Sequence, residues 1–190
     1  MAKLRRAHRT VLLVPPEYLP DDWDNATNDP ADGPTAAQLN LWQAIQTQAG
    51  LGAVGGNISC ALTDSDLELG LGDPDSDDEL TICSKGNESS VTRFNPTVDL
   101  VGLRDDDLAN NSVENLFFNL INAADVEFVA IDRIQDGKTS DDPFSVGDNI
   151  TMIGFSTDNP VDVKDDQANL KIQQTGLPTG RWVLNFRLVA

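Results

Sequence analysis

Histidine and cysteine are nearly missing from this chain, which holds one His (His8) and two Cys (Cys60 and Cys83) in 190 residues. A single histidine excludes multi-histidine zinc sites. Two cysteines are too few for a disulfide scaffold, and their spacing matches no metal site. Both lie in β-like runs, ISCAL and LTICS, which predicts buried free thiols. Long apolar runs are missing as well. The best, such as VLLV, fall far short of the roughly 20 residues that a membrane-spanning helix needs. The opening MAKLRRAHRTVLLVPP sets basic residues before an apolar run, yet Pro15 and Pro16 stop that run early and no small-residue cleavage site follows. It reads as the mature N-terminus of a cytoplasmic protein. Aromatics are sparse, and the three Trp and one Tyr beside seven Phe are too few to assemble the platform of a paired-carboxylate hydrolase. Basic charge is scarce too, 13 Lys and Arg against 31 acids, for a net charge of −18. A duplex-binding surface needs clustered Lys and Arg, so that class is excluded.

The few basic residues are unevenly placed. Lys3, Arg5, Arg6 and Arg9 fall among the first ten residues, where there is no acid, so the rest of the chain carries −22 out of a total of −18. A basic arm on an acidic body predicts head-to-tail attraction between copies, with Arg5, Arg6 and Arg9 as its contacts. Residues 15–33, PPEYLPDDWDNATNDPADG, read as a loop or extended arm, and Trp23 within it is an aromatic expected to dock on its own domain or a neighbour. Residues 34–48 give a second helix, with Pro34 in its first turn and Leu39, Trp42, Ala44 and Ile45 as a partial stripe. The glycine-rich LGAVGGN lacks the Lys-Ser/Thr of a phosphate loop and the spacing of a dinucleotide fingerprint.

The strongest pattern is SVENLFFNLINAADVEFVAIDRI at 112–134. Val113, Leu116, Phe117, Leu120, Ile121 and Ala124 form one apolar stripe of helical period, predicting a helix over 112–124 capped by Asn111 or Ser112. From Val126 the period changes to 2, the signature of a strand. Further strands are predicted at 10–14, 57–62, 79–84, 89–94, 98–103, 149–156, 170–174 and 181–189. In the last, Trp182, Leu184, Phe186 and Leu188 alternate with Arg181, Asn185 and Arg187. The whole is mainly β (α+β): an antiparallel β-sandwich or partial barrel flanked by one helix, with a long N-terminal arm and loop. The organisation is an arm, loop and short helix over 1–56, then the β-sandwich over 57–190.

Carboxylates are abundant without forming a recognisable site. DPDSDDE, with Asp73, Asp75, Asp77 and Asp78, starts like a calcium loop, but Asp78 stands where Gly is required and Ser84 where the bidentate Glu belongs. A solvated acidic hairpin loop accounts for it. No enzyme signature and no cofactor or metal set emerges, which leaves a structural protein or a binding module, the latter using its acidic loops for calcium-dependent recognition.

Four stretches together carry a resemblance: ISCALTDSDLELGLGDPDSDDELTICSKGNE, NNSVENLFFNLINAADVEFVAIDRI, DDPFSVGDNITMIGFSTDNPVD and LKIQQTGLPTGRWVLNFRLV. The segment 57–190 resembles the major tail tube proteins of long non-contractile-tailed phages of actinobacterial hosts. The resemblance implies a β-sandwich or partial barrel flanked by one helix. It implies six-subunit rings stacked into a tube whose lumen passes the genome, inner strands joined into one large barrel, and an N-terminal segment bridging rings. It also implies tape measure, tail terminator and tail tip proteins as partners, and DNA in transit without specific binding. Acids facing the lumen are drawn from Asp64, Asp66, Asp132 and Asp162. Other virion β proteins, a tail terminator or a capsid decoration protein, are the nearest alternatives.

Overall fold

The computed structural model describes residues 9–48, 54–63, 66–73, 75–77, 90–135, 137–164 and 170–189. Along the chain come β1 (Arg9–Val14), α1 (Ala36–Gln43), β2 (Gly56–Asn57), β3 (Glu68–Leu71), β4 (Asp75–Asp77), β5 (Ser90–Arg93), β6 (Pro96–Leu103), α2 (Val113–Ile121), β7 (Glu127–Ile134), β8 (Asn149–Thr157), β9 (Val161–Lys164) and β10 (Leu170–Arg187). Eight strands form one antiparallel sheet in the order β2-β1-β7-β8-β10-β6-β3, with β9 also on β10; β4 and β5 make a separate hairpin. The sheet does not close. The fold is mainly β, as the period-2 patterns predict.

β10 is the hinge of the architecture. Its first part pairs with β6 (Lys171↔Leu103 to Thr175↔Asp99) and with β9, and its second part pairs with β8 (Gly176↔Thr157 to Arg187↔Asn149). One strand therefore belongs to two layers, β2-β1-β7-β8-β10 and β3-β6-β10-β9, and β8 faces β3 and β6 across the core. The predicted strands 170–174 and 181–189 are one element. Its expected alternation also shifts, because Asn185 sits at φ 55 in a bulge between Val183 and Phe186. Val183 and Phe186 are buried while Trp182 and Leu184 are only half-buried. An extra residue in one strand moves all later side chains to the other face.

α2 closes the side of the sandwich. Ser112 caps it by accepting from the Asn115 N–H, Glu114 lies in its first turn, and Leu116, Phe117, Leu120 and Ile121 are buried. Phe117 packs against β6: a Cβ at Gly102 would sit 2.3 Å from its Cε1. Leu116 reaches the opposite layer at Gly56. The helix ends at Ile121, short of the predicted 124, because buried Thr157 intervenes. Its hydroxyl donates to the Ala123 carbonyl at 2.7 Å and accepts from the Val126 N–H at 2.9 Å, while Asp125 takes φ 61. A side chain from β8 thus converts the helix into the start of β7.

Several other expectations change. The strand predicted at 57–62 is confined to Gly56–Asn57, since Ile58 N–H donates to Val11 and the chain then turns, bridging β6 at Leu62↔Gly102, where the Leu103 N–H donates to Ala61 and the Thr63 N–H to Val101. The acidic stretch at 73–78 contains β4 rather than being all loop. The strand predicted at 79–84, and Cys83 with it, lies outside the described residues. Cys60 is exposed rather than buried, in the turn that follows β2. The helix predicted at 34–48 is α1, which starts from a Thr35–Gln38 capping box and buries Leu39 and Trp42. One core draws on both sides of residue 56: Leu12, Leu13, Trp23 and Leu39 pack with Phe117, Ile131, Phe155 and Phe186.

Candidate assembly surfaces

The predicted site residues part company in three dimensions. Arg5, Arg6 and Asp64 lie outside the described residues. Arg9 is the first residue of β1 and holds Asp132 of β7 in a two-pronged pair, Nε to Oδ1 and Nη2 to Oδ2, each 2.8 Å. Asp132 is only 6% exposed. Burial pushes its carboxyl above the ordinary value and Arg9 offsets only part of that. Trp23 is also internal, 1% exposed, under Arg181, whose guanidinium stacks 4.9 Å from the ring and donates to Asp24 and the Asp21 carbonyl. The arm's aromatic therefore docks on its own domain.

Asp66 and Asp162 are exposed, at 44% and 61% for their side chains. Strand register separates them. Glu68↔Asp99↔Thr175 and Val101↔Gln173↔Val161 share one face of the second layer, and Asp66, Glu68 and Asp99 line a concavity of about 580 Å³ on it with Val101, Val163 and Lys171. Lys171 Nζ stands 3.8 Å from Asp66. Asp162 is opposite Ile172, on the other parity, and pairs at 3.1 Å with Arg104, which in turn lies over Phe118. Glu68 and Asp99 escape sequence reasoning because only the pairing of β3 with β6 makes them neighbours.

Several strand edges are open. Among the described strands, β9 pairs with β10 alone, β3 pairs with β6 alone, and Trp182–Arg187 of β10 pair with β8 alone. Exposed edges of this kind invite a strand from another chain. The opposite edge, at β1, is covered: β2 pairs with Leu12 and Leu13, and the Val11 N–H donates to Ser59 Oγ at 2.8 Å.

A rigid loop, invisible in the sequence, follows β7. Fully buried Arg133 donates to Thr10 Oγ1 (2.9 Å), the carbonyls of Thr139 (2.9 Å), Asp142 (2.7 Å) and Pro143 (3.1 Å), and Asp148 (3.3 Å). Its guanidinium stacks over Phe144 at 4.3 Å. Lys138 Nζ holds both oxygens of Asp148 at 2.8 and 2.7 Å. Burial works to raise the Asp148 carboxyl, but Lys138, the Ser145 N–H and Arg133 outweigh it and hold it below the ordinary value. α1 fastens the same loop from outside through Asn40 to Phe144 and Gln43 to Ser140 and Asp142. Nothing in the spacing of these residues signals this; the partners come from positions as far apart as 10 and 148.

Among the described residues, no group of three or more His, Cys, Asp or Glu is placed to hold a metal ion. What the geometry offers is shape: an open two-layer sheet, a rigid loop and an acidic face. No curated protein matches the chain. The family described as "Phage tail tube protein" matches residues 3–190, nearly the whole length. The chain belongs to the phage tail tube protein family.

Proposed function

We propose that this structural tail protein is the major tube subunit of a long, non-contractile phage tail, assembling into stacked, six-membered rings whose lumen delivers the genome. The observation that carries the reading is the unclosed sheet with pairing edges at β9 and at the second part of β10, in a member of this family. Ring closure joins such edges between copies and removes them from solvent. A ring with two unlike faces stacks by heterologous contacts into an open filament. The second layer, β3-β6-β10-β9, is the wall of the lumen, with Asp66, Glu68 and Asp99 on it, Asp64 close by in sequence and Asp162 at its edge. Duplex DNA carries one negative charge per about 1.7 Å of axis, so an acidic wall keeps it from adhering. Screening limits that repulsion to about 8 Å at physiological salt, so only acids on the wall contribute. Arg5 and Arg6 serve contacts between rings, and tape measure, terminator and tip proteins are the further partners. The subunit is made in the host cytoplasm before it enters the virion tail, acts without cofactor or catalysis, and uses the part of its N-terminal region (1–56) that is not packed in its own core for contacts between copies.

Negative-stain electron microscopy at rising protein concentration, beside size-exclusion chromatography, tests this. Hollow tubes of uniform width, or stacked rings, are expected. Discrete trimers, or rings that refuse to stack, would overturn it in favour of a decoration or terminator protein.

A further inference from the structure

A groove of about 450 Å³ opens where the chain leaves β1 through Pro15 and Pro16 and enters β7 at Glu127. Small-molecule pockets span roughly 300–1,000 Å³, and this one falls among them. Its floor is apolar, built by Leu120 at the end of α2 and by Val126 and Phe128 at the start of β7. Its rim carries three exposed carboxylates, Glu17, Asp125 and Glu127, and no Lys, Arg or His stands among the described lining residues. Elsewhere the chain matches acids to its few basic residues: Asp132 to Arg9, Asp148 to Lys138, Asp24 to Arg181 and Asp162 to Arg104. The three rim carboxylates have no such side-chain partner among the described residues. Val54 joins the groove to an apolar hollow at Tyr18 and Trp42, whose rings meet edge to face with centroids 5.1 Å apart.

An apolar floor under unpaired acids selects a ligand that is cationic yet apolar along its length. A metal ion needs several oxygens converging on one point. No group of three or more His, Cys, Asp or Glu among the described residues is so placed. A linear polyamine such as spermidine suits both surfaces, because short methylene stems separate its ammonium groups. The stems gain by leaving water for the floor, and the ammonium groups form charge-assisted hydrogen bonds to carboxylates. Aromatic rings attract alkylammonium groups as well, so the hollow at Tyr18 extends the same chemistry. We propose that the groove is a polyamine site, with the stems on Leu120, Val126 and Phe128 and the ammonium groups at Glu17, Asp125 and Glu127. The consequence is a control on assembly. A chain of net charge −18 repels its own copies, and a bound polycation offsets part of that repulsion. Binding itself is independent of the stacked-ring reading above; its effect on stacking rests on that reading.

The test is isothermal titration calorimetry of the full chain with spermidine at low salt, beside a titration with hexaamminecobalt(III). The cobalt complex matches the charge of spermidine and has no methylene stems. Saturable binding of spermidine is expected, at least about tenfold tighter than that of the complex. It should weaken at least about tenfold in a Glu17→Gln/Glu127→Gln double variant. A matched pair of exposed acids outside the groove, Asp22→Asn/Asp106→Asn, should leave it unchanged. All four positions are exposed, so an unchanged melting curve verifies folding in each variant. Equal affinity for the cobalt complex would reduce the effect to general charge attraction and overturn the proposal. So would an equal loss in the two double variants, or the absence of saturable binding. Stacked rings in the microscope without spermidine binding would sink the groove alone; binding at the groove without stacked rings would sink the tube reading alone.

Discussion

Phe117 and Gly102 show how closely two residues can depend on each other. Phe117 is fully buried, and the absent side chain at 102 is what lets its ring lie on β6. Phe117→Ala should cost about 3–5 kcal/mol through lost burial and the cavity left behind. Gly102→Ala should cost about 1–3 kcal/mol by the opposite route, since its Cβ would press on ring atoms at 2.3 and 2.5 Å. Thermal melts of both variants check this, at roughly 2–4 °C per kcal/mol for a chain of this size. A melt within a degree or two of wild type for Phe117→Ala would show that the helix does not bind the sheet through this ring. Charge at single residues is also readable by pH. Asp148 is held below the ordinary carboxylate value, so its contribution is present above the unfolded value near pH 4 and is lost as pH falls through the folded one. Asp148→Asn should therefore melt well below wild type at pH 7, with a gap that narrows as the pH is lowered past 4. Asp132 has the opposite sign: its folded value is raised, so its contribution declines as pH rises from the unfolded value through the folded one. A gap for Asp148→Asn that is constant with pH would remove the ion-pair account of the loop.

At the scale of elements, local signals and distant contacts share the work. α1 begins where its own sequence says, at a box in which Thr35 Oγ1 accepts from the Gln38 N–H and Gln38 Oε1 accepts from the Thr35 N–H. Thr35→Ala should cost about 1 kcal/mol, seen as a melting drop of a few degrees. β10 turns on Asn185, whose φ of 55 suits Gly or Asn and penalises a branched side chain. Asn185→Gly should be near neutral while Asn185→Val should cost about 1–2 kcal/mol; equal effects on denaturant midpoint would argue that the bulge relaxes. The stripe of α2 and the alternation of β7 were legible because neighbours in the chain set both. The end of α2 was not, because Thr157, more than thirty residues later, supplies the hydroxyl that takes the Ala123 carbonyl. The strand at 68–71 escaped for a related reason: its partner β6 makes it a strand, while its own ELGL pattern is weak.

At the scale of the molecule, an open antiparallel sheet in a tail tube family member is a part built for company. The family is structural, and its place is the virion tail. If the β3-β6-β10-β9 layer is the wall of the tube, Asp66, Glu68 and Asp99 changed to Lys should leave tubes that retain duplex DNA at low salt and release it as salt rises, read by co-sedimentation. Tubes that ignore DNA after the change would place these acids elsewhere than the lumen.

By itself the sequence determined the mainly β class, the amphipathic helix over most of its length, the acidic body with its basic arm, and the want of histidines for a multi-histidine metal site. These follow from composition and from spacing between near neighbours, which the period of a helix or strand turns directly into a face. Only the tertiary structure decided that Trp23 is core, that Asp132 belongs to Arg9, that Arg133 anchors a loop, and that Asp66 meets Glu68 and Asp99 while Asp162 does not. Those facts depend on register and burial. Arg9 and Asp132 are 123 positions apart, and no local pattern records which strands will lie side by side.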